Sequence, residues 1–163
     1  MNANEQLIEK FYSSFKAKDA EGMVSCYHPD IEFSDPGFPD LKGWRAGAMW
    51  RMLIDKGSAD LEITYSDIKA DDNRGSAHWE AKYSFGKDKN PVHNIIDAEF
   101  EFKDGKIVKH TDRFDFWRWS RQALGAAGLF LGWTPMIRSK VQKESDTALT
   151  MYSKRKRLEP KKG

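Results

Sequence analysis

The chain is poor in cysteine. Cys26 is the single one among 163 residues, which excludes an internal disulfide and any paired-cysteine metal spacing. It has no run of about eighteen apolar residues, so no membrane-spanning helix is expected. The opening MNANEQLIEKFY lacks a basic start followed by an apolar stretch. No signal peptide is therefore expected, and the reading is a cytoplasmic protein. No glycine-rich phosphate loop and no nucleophile elbow are present. Histidines number four, and only His110 is expected to point inward, so neither a metal nor a cofactor is implied. A strong excess of one charge is missing too, since the net charge is +2. Nucleic acid is accordingly not an expected partner. The imbalance is local. From Arg138 onward there are nine Lys/Arg against three Asp/Glu, and residues 151–163 read as a basic, flexible tail.

Aromatic residues make up 13% of the chain and charged residues 32%, which suits a single domain with a large core or pocket. Over residues 4–18, Leu7, Ile8, Phe11, Tyr12 and Phe15 fall on one helical face, with Asn4 as the expected cap and Glu5 in the first turn. Asp19 reads as the cap of a short second helix with Met23, Val24 and Tyr27 inward, ended by His28-Pro29-Asp30. A short strand, IEFSDPGF, follows. Residues 43–56 return to helical spacing through Trp44, Met52 and Leu53, and Gly57 stops them.

The period then changes from helix to strand. Leu61, Ile63 and Tyr65 alternate with polar residues, as do Trp79, Ala81, Tyr83 and Phe85, and then Ala98, Phe100 and Phe102. Val108, His110, Asp112 and Phe114 share one face of a last strand. DDNRG, GKDKN and KDG supply the hairpin turns. Helices first and an antiparallel meander after predict an α+β fold with helices on one face of a curved sheet. Residues 116–140 are apolar, partly helical and rich in glycine. They read as a lid across the sheet, with a membrane-surface segment as the alternative.

FYSSFKAKDAEGMVSCYHPDIEF, SDPGF and FEFKDGKIVKHTDRFD resemble the nuclear transport factor 2-like, or SnoaL-like, superfamily. The resemblance covers about residues 4–118. It implies a cone-shaped antiparallel sheet packed against N-terminal helices, and a homodimer formed through the outer sheet face. The expected division is a cone domain at 1–118, a helical lid or extension at 119–150 and the tail at 151–163. In the steroid isomerases of this group a base aspartate sits in a DP turn, and Asp35 matches it. Phe11 and Ala98 stand at their tyrosine and second aspartate. In the limonene epoxide hydrolases an aspartate of the last strand is matched by Asp112. Trp79 and Ala81 stand at their arginine and second aspartate.

His110 and Asp112, two apart on one strand, point the same way with Cβ atoms about 6–7 Å apart. Asp35, His110 and Asp112 are the candidate catalytic residues: a base, an acid–base partner and its orienter. Asp35 also has a plain reading, as a turn residue bonding its own backbone. Asn94, Tyr12, Trp79, Tyr83, Phe100 and Phe114 are the candidate substrate contacts, suited to a small apolar molecule with one or two oxygens. The expected function is cofactor-free acid–base chemistry as isomerase, dehydratase, cyclase or hydrolase. A ligand-binding or protein-interaction module is the alternative. Asp115 is expected to cap the segment after it, and His78 and His93 to face outward.

Overall fold

The computed structural model describes residues 1–57 and 59–160. Helix α1 (Ala3–Lys16) lies across the inner face of a sheet and buries Ile8, Phe11, Tyr12 and Phe15. Its cap is Asn2, two residues earlier than expected: Asn2 and Glu5 bond each other's backbone N–H in a capping box. The amide of Asn4 goes instead to the carbonyls of Asp71 and Asp72. Helix α2 (Ala20–Val24) is capped by Asp19 as predicted and ends at Val24. Tyr27 and the His-Pro-Asp triplet belong not to this helix but to strand β1 (Tyr27–Ser34). A two-residue strand β2 (Leu41–Lys42) and helix α3 (Trp44–Lys56) follow. The buried face of α3 is Ala46 to Trp50, whereas Leu53 is exposed.

Four long strands come next: β3 (Glu62–Ala70), β4 (Arg74–Phe85), β5 (Asn90–Lys103) and β6 (Lys106–Arg113). They form the expected antiparallel meander. The β5–β6 turn is the two-residue type, with Asp104 and Gly105 at φ 53 and 73°. That left-handed pair matches strand twist. The six-stranded order is β2-β1-β6-β5-β4-β3. One pairing departs from the all-antiparallel expectation, because β1 runs parallel to β6. Register shifts interrupt β1/β6, β3/β4 and β5/β6. Each bulge bends its strand, so the sheet curls around α1. The shift at Glu101/Phe102 also turns Ile107 inward and leaves Val108 half-buried, which reverses the expected order at that end of β6.

The C-terminal part is helical: α4 (Phe116–Leu124), α5 (Ala126–Leu131) and α6 (Pro135–Lys156). Asp115 caps α4, accepting from Arg118 N–H at 3.0 Å. Residues 151–156, expected as flexible tail, continue α6. That helix buries Leu149 and Tyr152, and Tyr152 Oη donates to Asp55 on α3 at 3.0 Å. Arg45 of α3 also pairs with Asp146 at 2.7 Å. The basic composition had hidden two apolar residues spaced to reach α3.

Candidate functional site

The curled sheet and α3 leave a cavity of about 780 Å³, closed on one side by residues of α4 and α6. Asp35, Asn94, Trp79, Tyr83, Asp112 and Phe114 all line it. Sequence reasoning missed Trp50 of α3, which is 2% exposed and part of the wall. It also missed Phe116 and Trp119 of α4, and Val141 and Tyr152 of α6, as wall residues. The helical spacing of 43–56 held the signal for Trp50, which stands four residues after the buried Ala46. Trp44 is only half-buried.

Tyr12, Phe100 and His110 lie behind the wall. His110 is 0% exposed, ringed by Phe11, Phe33 and Phe100 with ring centroids at 5.4, 5.0 and 4.5 Å. The inward direction of His110 was legible; its depth moves it from the cavity surface to a supporting position. Tyr12 stacks on Tyr65 and contacts Trp79 and Phe100. Its hydroxyl is buried without a hydrogen-bond partner.

A directional hydrogen-bond chain runs through this layer. Trp50 Nε1–H donates to Tyr27 Oη at 2.8 Å. Tyr27 Oη lies 2.8 Å from His110 Nδ1, and His110 Nε2 lies 2.9 Å from Asp112 Oδ1. Trp79 Nε1–H donates to the same Oδ1 at 3.2 Å. The two indoles can only donate and a carboxylate can only accept. The assignment that satisfies every group has Tyr27 donating to His110 Nδ1 and His110 Nε2–H donating to Asp112. Burial in this layer pushes the Tyr27 hydroxyl well above its ordinary pKa, which keeps it protonated as that donor. Asp112, 3% exposed, is thus fixed by two donors on Oδ1, while Oδ2 has no partner. A buried carboxylate oxygen without a donor is costly, and here it belongs to a residue of the cavity wall.

Asp35 follows β1 and is half-buried. Its Oδ1 accepts from the N–H of Gly37 at 2.7 Å and of Phe38 at 2.6 Å. The turn role and the cavity position therefore coexist. Burial pushes the Asp35 carboxyl up from 3.8 to about 7. The Phe38 N–H pulls it back, the Asp112 charge adds to the rise, and the Gly37 N–H and Arg138 oppose it. An acid of ordinary strength becomes one that exchanges its proton near neutrality.

Helices α4 and α6 are fastened over this site. Trp119 Nε1–H donates to Tyr83 Oη at 2.8 Å, and Asn90 donates to the Ala123 carbonyl at 2.9 Å. Gln142 of α6 donates to the Pro36 carbonyl at 3.1 Å, beside Asp35. On the other sheet face, His78 lies 2.9 Å from both Asp97 and Glu80, and His93 lies 2.6 Å from Glu80. Asp97 and Glu80 raise the His78 pKa. No group of three or more His, Cys, Asp or Glu among the described residues is arranged to hold a metal ion, and no helix among them is long and apolar enough to cross a membrane.

Residues 8–110 match the family model of the SnoaL-like domain. No curated protein matches the sequence significantly. Among solved structures, an LEH-like epoxide hydrolase of M. tuberculosis shares 21% identity at TM-score 0.62, covering 78% of this chain and 92% of that one. TsrD from Streptomyces laurentii shares 21% at TM-score 0.63, covering 76% and 96%. A putative polyketide cyclase from Xanthomonas campestris pv. campestris shares 19% at TM-score 0.60, covering 72% and 93%. At these identities the likeness is one of fold.

Proposed function

This chain belongs to the SnoaL-like domain family, and we propose that it is a cofactor-free enzyme moving protons on a small, largely apolar molecule. The observation that carries the proposal is Asp35. Its carboxyl exchanges a proton at about pH 7 in the wall of an aromatic cavity that it shares with Asp112. A base or acid poised there needs no metal to work at neutral pH.

In this reading Asp35 takes a proton from the substrate, or from a water that attacks it, and returns it later in the cycle. Asp112 Oδ2, the oxygen left bare by the network, accepts from a substrate hydroxyl or that water. Asn94 donates to a substrate oxygen. Trp79, Tyr83, Phe114 and Trp50 hold the apolar body. His110 acts through Asp112, holding it in place, rather than on the substrate. Isomerisation, dehydration, cyclisation and hydrolysis all use this set. The names of the similar structures, an epoxide hydrolase and a putative cyclase, fall in the same group of reactions. A homodimer through the outer sheet face and a cytoplasmic setting belong to the same proposal. So does the role of α4 and α6 as a lid.

The test is turnover by the wild type, Asp35→Asn and Asp112→Asn on a panel of apolar epoxides, enones and cyclisable polyketones. The expected result is conversion of at least one class, with a pH–rate limb near 7. Both variants bind the ligand but lose turnover. A wild type that binds these molecules and converts none is a ligand-binding module.

A further inference from the structure

Helix α5 buries Gly128, and Gly132 at its C-terminal cap, while its large residues Leu129, Phe130 and Leu131 are exposed. A methyl group on Gly128 would overlap the Ser120 carbonyl, and one on Gly132 would overlap the Ser120 hydroxyl. Backbone therefore meets backbone where α5 sits on α4. With the glycines inward, the apolar side chains have nowhere to go but out. Phe130 and Trp133 are each 70% exposed, Met136 65% and Leu129 48%. Scattered exposed apolar residues need no explanation, but a contiguous group does.

Two further features mark this patch. First, its indole donors are already satisfied: Trp133 Nε1–H donates to the Phe130 carbonyl at 3.1 Å, and Trp117 Nε1–H to the Leu129 carbonyl at 3.3 Å. Both rings can leave water without stranding an N–H. Second, between Phe116 and Lys143 the chain carries five Lys/Arg and no Asp or Glu. Arg121 sits over the Trp117 ring at 4.2 Å, and Arg138 over the Phe116 ring at 5.7 Å. Phe116 is buried and Trp117 exposed, so Arg121 borders the exposed aromatic group, and the exposed Arg138 follows Met136 by two residues.

We propose that the segment Leu129–Met136 docks on an anionic lipid surface, inserting Phe130 and Trp133 at the acyl boundary while the flanking cations meet the headgroups. Apolar and aromatic side chains with Lys/Arg beside them are what an interfacial site requires. A second copy of this chain suits the patch poorly, because a self-complementary contact sets the same cations against one another. A nucleic acid would leave the protruding apolar side chains in water. The two helices flanking the patch also wall the cavity, so docking holds that cavity beside a reservoir of apolar molecules.

The test is flotation of the full chain with phosphatidylcholine vesicles, with and without about a third phosphatidylglycerol, at low and high salt. The expected result is binding to the anionic vesicles that weakens with salt. Phe130→Ser with Trp133→Ser lowers the partition coefficient by about 100-fold. Arg121→Gln with Arg138→Gln lowers it by roughly 30-fold. Circular dichroism should show all variants folded, since all four substituted side chains are exposed. Absence of binding to anionic vesicles overturns the proposal, as do variants that float like the wild type. It is also overturned if the wild type ignores lipid and self-associates in sedimentation, and Phe130→Ser with Trp133→Ser dissolves that association.

Discussion

Replacing Asp35 by asparagine keeps an acceptor for the Gly37 and Phe38 N–H groups and removes the titrating proton. The carboxyl moves from 3.8 to about 7 on folding. Between those pH values the folded chain holds a proton that the unfolded chain has released. Wild-type stability from this group is therefore complete below about pH 4 and falls as pH rises to about 7, where the loss levels off. A difference of about 3 pH units at about 1.4 kcal/mol each gives a ceiling of about 4 kcal/mol. Asparagine has no such loss. Asp35→Asn should be about as stable as wild type at pH 4 and about 2–4 kcal/mol more stable at pH 8. Urea unfolding followed by tryptophan fluorescence measures this, with the midpoint moving and the slope constant. A gain that is equal at both pH values refutes the electrostatic account. No gain at pH 8 refutes it as well. Under the proposed function the same variant is inactive, so one substitution should raise stability and remove turnover together.

Trp79→Phe removes the 3.2 Å donor to Asp112; it should cost about 1–3 kcal/mol and lower kcat more than it raises KM, read by calorimetry and kinetics. His110→Ala removes bonds of 2.8 and 2.9 Å at once and leaves Tyr27 and Asp112 buried with fewer partners. The expected loss is about 3–5 kcal/mol, or roughly 8–15 °C in melting temperature. Leu149→Ala, at a side chain 0% exposed, should cost about 2–5 kcal/mol in urea unfolding; an unchanged midpoint would mean that this part of α6 does not pack.

The strands were readable because each alternates over its own length, and two of the turns between them carry Gly or Asp at positive φ, Gly86 in one and Asp104 with Gly105 in the other. The parallel pairing of β1 with β6 was not readable. It joins Phe33 to His110, and contacts that distant leave no periodic mark. The exchange of Val108 for Ile107 as the inward residue depends on a bulge: Glu101 pairs with Lys109 and Phe102 with Ile107, so Val108 is the extra residue of β6 and simple alternation fails there. Local sequence around β6 cannot report it. For His110 the direction came from alternation, but its depth comes from rings on α1, β1, α3 and β5. Helix α6 was obscured because its buried residues are few and its last turn is basic.

Trp79 donates to Asp112 without bringing a charge. The buried wall of the cavity therefore holds carboxylates and neutral donors. Of the described residues lining the cavity, the cations are Lys56 and Arg155, both exposed. An anionic substrate would meet the Asp112 field with no buried cation to offset it, and that same field already lifts Asp35. A neutral molecule loses nothing there, and a proton leaving its carbon or hydroxyl moves toward negative charge. Under the proposed function the site therefore selects for a neutral, apolar substrate that surrenders a proton. Carboxylated analogues of any substrate found should bind at least tenfold more weakly above pH 7 than their methyl esters. Equal binding of acid and ester, measured by calorimetry at pH 8, would show that a cation reaches the inner cavity after all.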